Sequence, residues 1–382
     1  MRLAFLLFEY FPEGQLQREF RRCVAELRQR GHHCRVYCIS WRGEALAGVD
    51  LRRVPETALT LFRRQQRFHT WVSADLASDQ VDGVIGFDTM PGLDIYFAAD
   101  ACYLEKTLRE RGSLYRRSAR HRHFAAWEQA VFAPASATHI LLLCAAQADE
   151  IERHYRTPPQ RLHLLPPGVA AEQRAPDDAP VRRKGVRERL GLAQQDLALL
   201  FVGAEFITQG LDRAITALAH LRTEQPSVKS RLLVVGRDKP RRMQRLARRL
   251  GVADGVEFLG DRDDITELML GADVLLHPAR HEVVGSVLLE ALAAGLPAVV
   301  TDNCGYAFHV KAARAGILLA TPFSQEQMDR AVMRCIDGVF RAECRNSALL
   351  YARLTDLYSM HRRGADLIES LLRAKGEVIA GG

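Results

Sequence analysis

Short apolar runs alternate with longer stretches whose apolar positions recur every three or four residues, and the alternation holds along all 382 residues. That rhythm predicts parallel sheets assembled from βαβ units. In the first half, residues 3–8 predict a strand. A polar loop follows, then a helix with Leu16, Phe20, Val24 and Leu27 on one face, stopping at Gly31, where glycine accepts the left-handed turn off a helix. Residues 34–40, 81–87 and 139–144 predict later strands. In the second half, residues 197–202, 232–235, 256–259, 274–277 and 297–300 predict strands separated by helical patterns. The stretch 341–375 reads as largely helical and free to pack on either half.

Leu165-Pro166-Pro167-Gly168 and the following 174–180 run, with Pro176 and Pro180, form the best linker. Proline blocks both helix and ladder there. The fold class is α/β, with two halves of similar length. Ligands of open α/β sheets lie beyond the carboxyl ends of the strands, so the loops after the strands carry the search for chemistry.

Composition narrows the class. With 48% hydrophobic and 26% charged residues the chain is an ordinary globular protein. Its eight cysteines form neither a CxxC nor paired clusters, which predicts buried free thiols and a reducing compartment. The apolar N-terminus is too short for a secretory segment, and no run reaches the ~18–20 apolar residues of a spanning helix. The expectation is a cytoplasmic protein. The net charge of +7 calls for an anionic partner: a lipid surface, a phosphorylated substrate or nucleic acid.

Four segments can carry chemistry. In His277-Pro278-Ala279-Arg280-His281-Glu282-Val283-Val284-Gly285-Ser286, a strand ends and a helix begins, and Glu282 and Glu290 are seven residues apart. A helix start offers free amides to a diphosphate, and a carboxylate inside the helix can chelate a diol. The alternative reading makes Glu282 a helix-dipole partner and Glu290 a solvent-facing charge. The second segment is the loop after the first strand, with Gly14. The third, residues 86–103, holds Asp94 and Asp100, which either line a cleft or cap strand-end turns. The fourth is residues 201–212, a strand, loop and helix start.

In this order the segments resemble the retaining GT-B enzymes of glycosyltransferase family 4, and within it the branch that glucosylates the lipopolysaccharide inner core. The resemblance runs end to end. It rests on "YFPEGQLQREF", "GFDTMPGLDIYFAADACY", "LLHPARHEVVGSVLLEALAAGLP" and "DNCGYAFHV". It implies two Rossmann-like domains facing across a cleft: an acceptor domain, 1–167, completed by 358–382, and a nucleotide-sugar domain, 168–357. It implies a UDP-sugar donor, UDP-glucose by default, a lipid-linked inner-core heptose acceptor and no metal or other cofactor. Carried over by position, Glu282, Asp100 and Glu19 are the catalytic set. Gly14, Gln15, Gln173, Thr208, Gln209, Val284, Gly285, Ser286 and Glu290 hold the donor.

The chain departs from the family pattern where the donor is held. Gln15 stands where a second glycine is usual, Glu19 for Asp, Asp88-Thr89 for Asn-Lys, Gln173 for Arg, and Thr208-Gln209 for Arg-Lys. Losing one charge-assisted donor to a developing anion costs roughly 3 kcal/mol. Three readings follow: Arg174, Arg280 or Arg213 relocates the charge; the enzyme is slow; or the chain is a non-catalytic relative with a binding or scaffolding role. Residues 103–132 interleave seven basic residues, Lys106 to Arg122, with Tyr115, Phe124, Trp127 and Phe132. This reads as an interfacial segment for anionic lipid, placing the protein peripherally on the inner face of the cytoplasmic membrane. Residues 237–249 read as a solvated basic helix face. No nucleic-acid motif accompanies either run.

Overall fold

The computed structural model describes residues 1–12, 14–55, 58–99 and 102–381. The chain divides into two compact units, Met1–Pro166 with Ser359–Gly382, and Pro167–Tyr358.

The first unit holds strands β1 (Arg2–Leu6), β2 (Glu9–Tyr10), β3 (His33–Cys38), β4 (Ser40–Trp41), β5 (Asp50–Arg53), β6 (Gly83–Gly86), β7 (Ile95–Ala98), β8 (His139–Leu142) and β9 (Leu162–Leu164). Its helices are α1 (Gln15–Gln29), α2 (Leu61–Ser78), α3 (Tyr103–Glu110), α4 (Ala119–Phe132) and α5 (Ala145–Tyr155), and the C-terminal helix Met360–Gly381 packs beside α1. The main sheet is parallel in the order β5-β3-β1-β6-β7-β8-β9. After the exposed Arg2, β1 is an unbroken apolar run because both its faces are covered. Arg30 donates to Asp366 at 2.6 Å and to the Arg362 carbonyl at 2.9 Å, fixing the C-terminal helix to the end of α1.

The second unit holds α6 (Ala179–Arg189), β10 (Leu197–Val202), α7 (Leu211–Glu224), β11 (Ser230–Val235), α8 (Arg241–Arg249), β12 (Val256–Gly260), α9 (Ile265–Gly271), β13 (Val274–His277) and α10 (Ser286–Ala294). It continues with β14 (Ala298–Thr301), α11 (Ala307–Ala312), β15 (Gly316–Leu319), α12 (Gln325–Arg334) and α13 (Gly338–Leu354); the C-terminal helix is therefore α14. The parallel order is β12-β11-β10-β13-β14-β15, the doubly wound arrangement. Its core gathers Leu199, Phe201, Leu218, Leu232, Val274 and Leu276, all essentially inaccessible.

The α/β class with two Rossmann-like sheets is as the sequence predicts, and so are the eight buried thiols. Several details differ. The 34–40 strand is two, because the chain leaves the main sheet after Cys38 and pairs Ser40-Trp41 with Glu9-Tyr10. Residues 179–180 are not linker: Pro180 sits in the first turn of α6, where a missing N–H costs nothing. The predicted interfacial segment 103–132 folds as three pieces: α3, a 3-10 turn (Tyr115–Arg117) and α4. Their largest aromatics pack inward: Trp127 stacks on Phe8 at 6.1 Å, and Phe132 lies between Tyr96 and Tyr155.

Candidate functional site

In a doubly wound sheet the crevice opens where strand order reverses. That point lies between β10 and β13 in the second unit, and the loops leaving these strands are residues 203–210 and 278–285. The same reversal in the first unit lies between β1 and β6, whose loops are residues 7–14 and 87–94. Topology thus selects the four segments that the sequence singled out.

In the second unit the two loops are built against each other. The Arg280 guanidinium holds both oxygens of Asp212, at 2.8 and 2.7 Å, and donates to the Ile207 carbonyl at 2.6 Å. The Arg280 amide donates to the Thr208 carbonyl at 2.7 Å. Arg213 donates to the Pro278 carbonyl at 2.9 Å and lies over the Phe323 ring. Gly210, with φ +83°, caps α7 so close to this loop that a β-carbon would come 2.1 Å from the Pro278 carbonyl oxygen. Only glycine fits both the space and the backbone.

The 278–285 loop is fastened from the other side by Thr301 and the "DNCGYAFHV" segment that follows it, residues 302–310. Thr301 donates to the Ala279 carbonyl (2.8 Å) and Asn303 to that of Arg280 (2.8 Å), while the amides of Gly305 and Tyr306 donate to the Glu282 and Val284 carbonyls. Held this way, Gly285 takes φ +74° and caps α10, so the first amides of α10 open at the switch point. Val284 is buried and Ser286 half-buried. Glu290, four residues into α10, is 9% exposed, which excludes the solvent-facing reading.

Glu282 accepts from Gln209 Nε2 at 2.9 Å, and Gln209 Oε1 accepts from the Glu205 amide at 3.0 Å. One amide side chain thereby bridges the two loops. His277, at the end of β13, is fully buried, and neither ring nitrogen has a hydrogen-bond partner among the described residues. Its Nε2 lies 3.8 Å from Glu282, and burial pulls its pKa down to about 4, so the ring is neutral at neutral pH. Gln173 Oε1 accepts from the Ala170 amide at 3.1 Å, closing its own turn.

The three cations that could relocate charge to the donor each have a partner within the second unit. The Arg280 and Arg213 guanidiniums are consumed in tying the loops, and Arg174 lies over the Tyr358 ring at 4.3 Å.

In the first unit Gly14 caps α1 in an extended conformation (φ −70°, ψ 140°), and a β-carbon there would meet the Phe11 ring at 2.5 Å. Gln15 opens α1. Glu19 is 5% exposed and holds His361 Nε2 at 2.6 Å, with Arg22 at 3.4 Å. Asp88 accepts from the Phe8 amide at 2.7 Å, tying the two switch-point loops. Asp94 is a strand tie, accepting from the Val84 amide and Lys375, rather than a cleft group. Asp100 lies outside the described residues. Among those residues no group of three or more His, Cys, Asp or Glu side chains is placed to hold a metal.

Comparison with known proteins identifies this arrangement. The model of "Glycosyltransferase Family 4" matches residues 17–173 and that of "Glycosyl transferases group 1" residues 183–348. The lipopolysaccharide glucosyltransferase WaaG of Escherichia coli (strain K12) is 42% identical over 369 residues, covering 96% of this chain and 98% of that one. The chain belongs to the GT-B glycosyltransferases. The crystal structure of WaaG, a glycosyltransferase involved in lipopolysaccharide biosynthesis, superposes with a TM-score of 0.91 over 96% of this chain and 99% of that one. A D-inositol 3-phosphate glycosyltransferase of Streptomyces bingchenggensis is 34% identical over 183 residues, 45% of this chain and 40% of its own. Anabaena Alr3699/HepE, solved in complex with UDP-glucose, is 18% identical and shares the fold with a TM-score of 0.74 over 97% of this chain and 100% of its own. The comparisons lend no support to the non-catalytic alternative. Sequence reasoning missed the cross-loop ties of this glycosyltransferase, Arg280–Asp212 and Gln209–Glu282, because the partners stand 68 and 73 residues apart.

Proposed function

We propose that this glycosyltransferase moves a hexose, glucose as the first candidate, from a UDP-sugar to an inner-core heptose of lipopolysaccharide, with retention of configuration. The observation that carries the reading is the pair of carboxylates flanking the Gly285-capped start of α10: Glu282 before it, tied to Gln209, and Glu290 within it, held out of solvent. In this reading the amides of Gly285 and Ser286, with Val284 beside them, meet the diphosphate; Glu290 takes the ribose hydroxyls; and Glu282 faces the hexose. A helix start stabilises the charge that grows on the leaving diphosphate, which is where a transferase needs help. Thr208, Gln209 and Gln173 line the donor as neutral groups. Asp100 and Glu19 belong to the acceptor side. Retention is accounted for by a front-face path in which the leaving phosphate oxygen takes the proton of the acceptor hydroxyl.

The lipid-linked acceptor agrees with the exposed face of residues 106–122. Lys106, Arg109, Arg111, Arg116, Arg117, Arg120 and Arg122 are exposed there, as are Leu108 and Leu114. No described helix is long and apolar enough to cross a membrane. We assign this face to peripheral binding of anionic lipid at the cytoplasmic side of the inner membrane, by charge and two leucines rather than by the aromatic residues, of which Trp127 and Phe132 are buried.

Calorimetric titration of UDP-glucose and a panel of other nucleotide sugars, with donor hydrolysis followed in parallel, tests the reading. Binding and slow hydrolysis of a UDP-hexose are expected; an intact fold that binds no nucleotide sugar would sink it. Co-sedimentation with anionic vesicles should fall as salt rises, and salt-insensitive or absent binding removes the membrane assignment.

A further inference from the structure

At the opposite end of α10, the second unit carries a cavity of about 820 Å³ that no part of the proposed reaction uses. Its walls are apolar: Pro176, Pro180, Leu270, Ala293, Leu349 and Ala352 contribute. Its charged lining is five cations, Arg174, Arg183, Lys184, Arg345 and Arg353, against one carboxylate, Asp177. They come from the 174–177 loop, α6 and α13, so no single helix face explains them.

The carboxylate behind this wall is already saturated. Asp273 holds Arg183 at 2.5 Å and Arg187 at 3.1 Å, has Arg341 at 3.9 Å, and accepts the Ala198 amide at 2.8 Å. Arg345 has no hydrogen-bonding or ion-pairing partner among the described residues. Burial, with Arg183, Arg341 and Arg187 nearby, lowers its pKa to about 10 against the opposing pull of Asp273. A half-buried guanidinium kept among like charges is costly, and an anion that enters removes that cost. Arg174 and Arg353 are exposed at the same cavity; Arg353 has no partner among the described residues, while Arg174 keeps its face on Tyr358 and its edge available.

We infer that this cavity binds a small polyphosphorylated anion, with two or more phosphoryl groups spanned by Arg345, Arg353 and Arg174. The volume falls in the range of small-molecule sites, and planar guanidiniums match phosphate oxygens in pairs. The site is separate from the helix start proposed for the donor and does not rest on that reading. Its ligand is defined by linked phosphates, whether free or carried on a nucleoside.

Calorimetric titration of the full chain with pyrophosphate and, separately, orthophosphate tests the inference. Pyrophosphate is expected to bind wild type at least tenfold more tightly than Arg345→Leu or the double variant Arg174→Ser/Arg353→Ser, and orthophosphate at least tenfold more weakly than pyrophosphate. The double variant alters exposed side chains, so its fold, checked by circular dichroism, stands in for the more buried Arg345 change. Pyrophosphate binding of the double variant at wild-type strength, no binding by wild type, or equal affinity for orthophosphate each overturns the inference. Adding UDP as a third titrant separates the sources: competition with pyrophosphate points to a nucleotide, its absence to free polyphosphate.

Discussion

The two ends of α10 divide the electrostatics of the second unit unevenly. At its N-terminal end the cations Arg280 and Arg213 are spent on Asp212 and on loop carbonyls, and the polar groups beside Glu282 are the neutral Gln209 and His277. At its C-terminal end Arg345, Arg353 and Arg174 line a cavity in whose wall Asp177 is the one carboxylate among the described residues. If the proposed donor reading holds, a surplus of positive charge does not mark the reaction centre. In that reading the donor end relies on backbone amides and loop rigidity, and the far end on side-chain charge.

The sharpest break in that contrast is Glu282→Gln. If the donor end works through geometry plus one carboxylate, kcat/KM for hexose transfer falls on the order of a hundredfold, about 3 kcal/mol, while UDP affinity changes little. A loss confined to KM would move Glu282 from chemistry to binding.

Next comes pH. His277 titrates near 6.5 when unfolded and near 4 in the folded protein, because its ring is fully buried. Its contribution to stability is present above pH 6.5 and is lost as pH falls towards 4, by about 3 kcal/mol at most. Denaturant unfolding across that window should show the loss, and His277→Leu should remove its share. His309, also held near 4, retains its own. A wild-type profile as flat as that of the variant would mean that water reaches the ring.

Gly210→Ala tests whether the donor loops need their close approach. A β-carbon at φ +83°, 2.1 Å from the Pro278 carbonyl oxygen, should cost about 2 kcal/mol of stability and loosen UDP binding together. Thermal unfolding and UDP titration on the same variant read both.

How much of this was legible in the sequence depended on burial and on chain distance. β10 and β13 fall where the apolar runs place them, because central parallel strands are covered on both faces. β5, with the sequence Asp-Leu-Arg-Arg, is an edge strand whose Arg52 joins Arg35, Asp75 and Asp79 in an ion-pair network, so its polarity hid it. β9, of three residues, is too short to stand out, and β15, as long as β13, is an edge strand only partly covered. The four loop segments were legible because each follows an apolar run, and the strand order of the two sheets then selects the same loops. The ties across them were not, and neither was the cavity, whose cations stand at 174, 183–184, 345 and 353. Periodicity reports only neighbours on one element.

Thr208→Arg with Gln209→Lys would make the two ends alike. Two new cations at the donor loop should tighten UDP binding about tenfold, near 1.4 kcal/mol, with the introduced ammonium taking over the Gln209 contact to Glu282. An unchanged UDP affinity would mean that the donor sits beyond the reach of positions 208 and 209.

The smallest effect tests the far end without any ligand. If Arg345 is an undercompensated charge, Arg345→Leu should raise stability by about 1 kcal/mol at low salt, since a half-buried guanidinium among arginines is replaced by an apolar side chain against Leu349 and Ala352. The same substitution should abolish most of the stabilisation that pyrophosphate gives the wild type, because mass action rewards only an anion the folded state binds. The two shifts have opposite signs, so urea unfolding of both proteins with and without pyrophosphate separates them. A variant that is less stable than wild type in both conditions would make Arg345 a packing residue and leave the two ends of α10 electrically equivalent.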